Sequence, residues 1–198
     1  MLRQCISFIA VFWMFIGYSN AQVKEDIFVD KCRDGWNMID SKWTSRSVVV
    51  NNEVTYKGST SSIKVVCEKG GNVWGGLMLL DSTKKNPIYI TKNLLKNGYL
   101  EFYINAEELI PAKNITVLLK SQIGTKEESA GDEYRVMISK YLKEGEIDKD
   151  IKTWQYVCIP IADLIDEDLK WQDFTKIMIL TPTIDTPIYF ADIAIVEK

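Results

Sequence analysis

Short runs of β-branched and aromatic residues, alternating in polarity and separated by polar or glycine-bearing turns, recur from residue 47 to the end of this chain. No other feature constrains the fold as strongly. In Tyr99-Leu100-Glu101-Phe102-Tyr103-Ile104 the even positions are apolar, while the odd ones carry two phenols and a carboxylate. Successive strand side chains point to opposite faces, so this run builds core with one face and presents the other outward. Comparable runs occupy 47–50, 62–67, 74–80, 115–122, 133–138, 153–160, 176–180 and 188–196. They predict an all-β domain of two packed antiparallel sheets, a β-sandwich rather than a set of βαβ units. Helical signal is weak; 160–169 holds at most a turn or two, with Asp163 as a cap.

Residues 1–21 are different in kind. A short basic start at Arg3, an apolar run over 6–16 and Ser19-Asn20-Ala21 before Gln22 read as a cleaved secretory signal peptide. That leaves 22–198 as a single secreted, extracellular domain. No second apolar stretch is long enough to span a membrane.

The compartment permits disulfides, and Cys32, Cys67 and Cys158 remain after cleavage. They allow at most one internal bridge, with the pairing open, and the third thiol reads as a small buried hydrophobe. Asn114-Ile115-Thr116 is an N-glycosylation sequon for a eukaryotic host, placing Asn114 at an accessible strand start.

Charge and composition narrow the chemistry. Lys and Arg total 24 against 27 Asp and Glu, a formal net charge of -3, and removing Arg3 makes the chain more acidic. Such a balance argues against nucleic-acid partners, which call for a basic surface. The chain has no histidine, which excludes His-dependent triads, imidazole metal sites and histidine proton shuttles.

Binding chemistry is better represented. Alternation turns Tyr99, Glu101 and Tyr103 away from the core. On the next strand it does the same for Lys120 and Gln122, and further on for Arg135 if Tyr134 is core. Together these residues would line one groove in which phenols stack on sugar rings and polar groups bind hydroxyls.

Trp74, in Asn72-Val73-Trp74-Gly75-Gly76, is a further platform or a core anchor. Trp36 and Trp43 lie in loop-like stretches, and Trp154 opens a strand as core or sheet-edge packing. The acidic group Asp163, Asp166, Glu167 and Asp168 reads as a solvated turn. Asp30, Glu53, Glu68 and Asp192 are carboxylates that could serve a calcium ion, whose oxygen ligands come from scattered segments.

Four segments carry a resemblance. They are Tyr56-Lys57-Gly58-Ser59-Thr60-Ser61-Ser62-Ile63-Lys64-Val65, Trp74-Gly75-Gly76-Leu77, Trp154-Gln155-Tyr156-Val157-Cys158-Ile159-Pro160 and Ile188-Tyr189-Phe190-Ala191-Asp192-Ile193. Together they resemble the galactose-binding-domain-like β-sandwich of non-catalytic carbohydrate-binding modules. The resemblance implies a jelly roll that binds a polysaccharide or glycan on a concave sheet, and association with a separate enzyme or matrix protein. It also implies a structural calcium ion held through Asp192, although the family's paired aspartates are reduced here to Ala191-Asp192.

Two other classes stay open. A glycosidase needs two carboxylates about 5–9.5 Å apart, of which Glu101 could be one; a lyase could use Tyr99 or Tyr103 as base with Arg135 on a uronate. An adhesion protein would instead show Tyr99 and Tyr103 in a flat apolar patch.

Overall fold

The computed structural model describes residues 23–39, 46–67, 75–123, 126–129, 135–142, 146–147, 153–165, 173–182 and 185–198. The expected signal segment 1–21, Trp43, Glu68, Trp74, Asp132–Tyr134, Asp166–Asp168 and Trp171 lie outside them.

In chain order the strands begin with β1 (Val23–Val29), β2 (Lys31–Cys32), β3 (Trp36–Met38), β4 (Arg46–Asn51), β5 (Ser62–Cys67), β6 (Gly75–Asp81) and β7 (Ile88–Tyr89). A short helix α1 (Lys92–Asn97) precedes β8 (Gly98–Ala106), β9 (Ile110–Pro111), β10 (Thr116–Ile123), β11 (Lys126–Ser129) and β12 (Val136–Met137). The remainder are β13 (Glu146–Ile147), β14 (Gln155–Pro160), β15 (Asp173–Phe174), β16 (Lys176–Thr181) and β17 (Ile188–Glu197).

Two antiparallel sheets face each other as a jelly-roll, galactose-binding-like sandwich, as alternation predicted. The first sheet runs β14-β8-β17-β1-β2, with β5 also on β17 and β4 on β5; the second runs β11-β10-β16-β6-β3, with β12 on β10. Inward residues of the first sheet include Leu100, Phe102 and Ile104, all with no exposed surface. The second sheet contributes Leu77, Leu79, Val117, Leu119, Ile177 and Ile179 to the same core. Each such side chain contributes roughly 1.5–3 kcal/mol by leaving water.

Three features depart from the sequence reading. Trp36, expected in a loop, is 2% exposed and belongs to the core; its Nε1 donates to the Asn86 carbonyl at 2.9 Å. That bond lets the indole bury without stranding its polar edge. Strand β1, absent from the expected set, pairs with β17. The three cysteines are free thiols, so the single bridge that export would permit is not formed. Cys67 is buried, with Sγ 3.3 Å from Thr181 Oγ1, whereas Cys158 lies on the outward side of β14 with Sγ toward Glu101. The two point to opposite sides of one sheet.

Gly76 lies on β6 where it meets β16, at φ +142°, and a Cβ there would fall 2.1 Å from the Ile179 carbonyl oxygen. Neither the backbone angle nor the spacing between these two paired strands admits a side chain. Gly76→Ala should therefore lower unfolding free energy by roughly 2–4 kcal/mol in urea titrations; a loss below about 1 kcal/mol would show that the strands separate cheaply.

Candidate functional site

The residues expected to share one groove are divided between the two sheets. Tyr99, Glu101 and Tyr103 project outward from β8 in the first sheet, whereas Lys120 and Gln122 belong to β10 in the second, and Arg135 precedes β12, which pairs with β10. Between β8 and β10 the chain passes through β9 and a 3-10 turn, Ala112–Asn114, and changes sheet. Tyr99, Glu101, Tyr103 and Lys120 all lie on the outer side of their strands, but two outsides exist, on opposite surfaces of the sandwich. The shared trough is therefore not formed.

On the first surface the three residues are engaged by the protein itself. Register places Tyr156 beside Tyr103, Cys158 beside Glu101 and Pro160 beside Tyr99. Tyr56, from the loop before β5, lies flat over Tyr103, with ring centroids 3.7 Å apart and planes at 17°. Tyr156 flanks the same ring at 5.3 Å. A hydrogen bond with Tyr56, followed by burial, pushes the Tyr103 hydroxyl up to about 12, so it is neutral at ordinary pH and unsuited to act as a base.

Glu101 accepts a salt bridge from Lys198 Nζ at 2.5 Å, and Lys198 also sits 4.8 Å above the Tyr99 ring. Burial alone would raise the Glu101 carboxyl, but hydrogen bonds from Lys198 and Tyr156 outweigh it and hold the group below its ordinary value. The same contacts raise Lys198, while burial and then the Glu101 carboxylate push the Tyr156 phenol up. Thus the flat apolar patch expected of an adhesion surface is covered, and the sugar platform expected at Tyr99 and Tyr103 is capped by Tyr56 and Lys198.

Acidic groups near β17 hold a turn. Asp192 occupies a positive-φ position at 48°, and its Oδ1 accepts from Ser59 Oγ at 2.8 Å. Asp30 Oδ1 accepts from the amides of Thr60 at 2.6 Å and Ser61 at 2.9 Å; the Ser61 amide bond is the main reason its carboxyl is depressed. Calcium takes six to eight oxygens, yet among the described residues no three His, Cys, Asp or Glu side chains gather to hold a metal. Asp192 and Asp30, the carboxylates nearest the calcium site that the resemblance implies, both reach the 59–61 turn and each bonds it through Oδ1.

The second surface has a different chemistry. Leu118, Met178 and Met78 stand side by side across three strands, β10, β16 and β6. The next row reads Lys120, Lys176, Leu80 and Asn37, and the row on the other side is Met137, Thr116 and Leu180. Met78, Leu80, Met178 and Leu180 are all half-buried, although they point away from the core. Met137 is 41% exposed. The Thr116 hydroxyl is buried without a hydrogen-bond partner among the described residues.

This is an apolar shelf bordered by Lys120, Lys176 and half-buried Arg135. Sequence reasoning singles out Lys120 and Arg135 but not Lys176 or the shelf. Its signal was present in Lys176-Ile177-Met178-Ile179-Leu180, where both faces are apolar. Gln122 pairs with Glu127 at the β10–β11 end of the sheet.

A sandwich with one self-satisfied face and one apolar, basic-edged face is the frame of a non-catalytic binding module. The family model for carbohydrate binding domain 30 matches residues 24–197, and the chain belongs to that family of carbohydrate-binding modules. Membership supports the binding reading over the glycosidase and lyase alternatives. Among solved structures, the family 30 module of a cellulosomal cellulase from Clostridium thermocellum is 19% identical. It covers 89% of this chain and 98% of its own, with a TM-score of 0.61. A second family 30 module, also 19% identical, aligns at TM-score 0.63 over 89% of this chain and 88% of its own. Both show a shared fold. No curated protein matches the chain.

Two outcomes follow for the first surface. Because the folded state depresses Glu101, its contribution is complete above the ordinary carboxylate range and disappears as pH falls through the folded-state value. Urea midpoints of the wild type should therefore drop between about pH 5 and pH 3, and Glu101→Gln should flatten part of that drop; an unchanged profile in the variant would remove Glu101 from the acid response. Metal chelation checks the calcium ion that the resemblance implies: a fall in melting temperature that calcium restores would establish it beside Asp192, and an unchanged melting temperature would exclude it.

Proposed function

We propose that this module is exported and binds a β-linked polysaccharide across the outer face of the second sheet. The carrying observation is the row Leu118, Met178 and Met78, apolar side chains in register on the side of a sheet that faces away from the core. A surface of this kind suits the C–H face of a pyranose ring, and methionine thioethers adapt to its relief. Lys120, Lys176 and Arg135 border this row where they can donate to ring hydroxyls.

The border is basic in a chain of net charge -3, so donors are concentrated where a sugar would lie while the whole molecule still repels polyanions. Ordering a polysaccharide segment and the side chains that grip it costs roughly 0.5–1.5 kcal/mol per immobilised group, which sets the expected affinity at a moderate level. Delivery of an enzyme to that polysaccharide, or anchorage in a matrix, would come from association with a separate chain or module. Among the described residues no helix is long and apolar enough to cross a membrane.

Calorimetric titration with soluble β-linked glucans should show binding that falls about tenfold in Met178→Ala and in Lys120→Ala. Tyr99→Ala, on the opposite surface, should keep its affinity while losing stability. The reverse pattern, affinity lost in Tyr99→Ala and kept in the other two, would move the site to the first sheet.

A further inference from the structure

The first surface carries a cavity that the capped residues do not use. Beside the Tyr56–Tyr103 stack opens a furrow of about 710 Å3 lined by Glu53, Thr55, Tyr56, Lys57, Thr153 and Trp154, within the ordinary range of ligand clefts, roughly 300–1,000 Å3. We infer that this furrow is a second carbohydrate subsite, which takes a neutral pyranose on the opposite side of the sandwich from the apolar shelf. The choice of sugar as ligand rests on the reading of the module as a polysaccharide binder; the site itself rests on its own geometry.

The furrow's walls are aromatic and held in place. Trp154 meets Tyr56 edge-on, with centroids 6.0 Å apart and planes at 77°, and its Nε1 donates to the Thr55 carbonyl at 3.0 Å. The indole is thus fixed by its polar edge, while Tyr156, 42% exposed, extends the aromatic rim along β14. None of these three rings belongs to the inter-sheet core.

The loop beneath them is pinned at several points. Asn51 Oδ1 accepts from the amides of Glu53 and Val54, Ser62 Oγ donates to the Val54 carbonyl at 2.6 Å, and Ser59 is tied to both the Tyr56 carbonyl and Asp192. A loop ordered before the ligand arrives spares much of the entropy of binding. Exposed Glu53, Lys57 and Thr153 offer an acceptor, a donor and a hydroxyl around the aromatic floor. The mixed charge matches an uncharged polyol better than an anion or a cation.

Two subsites on opposite surfaces would let one module engage two chains of a polysaccharide, raising retention on a dense matrix beyond either affinity alone.

Two-dimensional NMR titration of the whole domain with a soluble β-linked glucan hexasaccharide tests this. The expected result is two separate patches of saturating shifts, one on β10, β16 and β6 and one that includes the Trp154 indole and the amides of 53–57. Trp154→Ala and Tyr156→Ala should each weaken only the second patch, by roughly fivefold for loss of one ring, and Met178→Ala only the first.

If the Trp154 indole and its neighbours stay still while the second sheet saturates, the furrow is no subsite and the proposed function stands. If they shift while the second sheet stays still, the furrow becomes the main site and the shelf assignment falls. Absence of both patches overturns both.

Discussion

The geometry of both surfaces depends on one strand changing partners. β17 pairs with β8 from Ile188 to Glu197, but its other edge serves β5 over Ile188–Phe190 and β1 from Ile193 onward. The exchange falls at Asp192, where the register on β8 shifts between Ala191 and Ala194 and the backbone adopts positive φ. A bulge at that point adds a residue and bends the strand. It also turns a carboxylate toward the 59–61 turn, where it accepts from the Ser59 hydroxyl beside the Thr60 and Ser61 amides that Asp30 already holds. The cost of left-handed backbone at an aspartate is modest because its short side chain can bond locally, and here it accepts from Ser59. From that anchor the loop returns Tyr56 onto Tyr103, so a backbone irregularity in β17 decides which aromatic faces are covered.

Polar satisfaction separates the two faces more clearly than hydrophobicity does. On the first, Glu101, Lys198 and Tyr156 complete one another's hydrogen bonds and Tyr56 takes the face of Tyr103. A sugar arriving there would have to displace contacts already made, so the exchange would gain little. On the second, half-buried Met78 and Met178 flank buried Leu118 on the side away from the core, and water against the exposed part of the two thioethers is unfavourable. Covering such a row gains free energy without breaking an existing bond. The two proposed sites share that logic: the shelf of the second sheet and the furrow beside Trp154 are both places where a ligand could cover surface without displacing the Glu101, Lys198 and Tyr156 contacts.

Strand positions were legible in the sequence because half-buried strands write their period directly into it: 62–67 is recovered residue for residue, and Leu100, Phe102 and Ile104 are core as alternation requires. β1 was not legible. In Val-Lys-Glu-Asp-Ile-Phe-Val the charged residues sit mid-strand, and the bulge near Asp26 buries the adjacent pair Ile27 and Phe28, which breaks the period of two. α1 escaped notice because its six residues are too few for a helical stripe, although Thr91 caps it through a bond to the Leu94 amide. Trp36 looked like a loop residue because the partner that permits its burial, the Asn86 carbonyl, lies fifty positions away.

The groove drawn from alternation failed for a related reason. A period of two assigns a side chain to the inside or the outside of its own strand, but carries no information about which sheet the strand joins. Tyr103 and Lys120 are both outward, and the chain between them crosses from one sheet to the other. Where consecutive strands are joined by a tight hairpin, as β10 and β11 are, outward residues do share a face, because the hairpin keeps both in one sheet. The 107–115 connection contains its own strand and a 3-10 turn, long enough to span the sandwich. Connection length, weighed together with alternation, would have separated the phenols from the basic residues and left Lys120 and Arg135 to be matched with the apolar residues of β6 and β16.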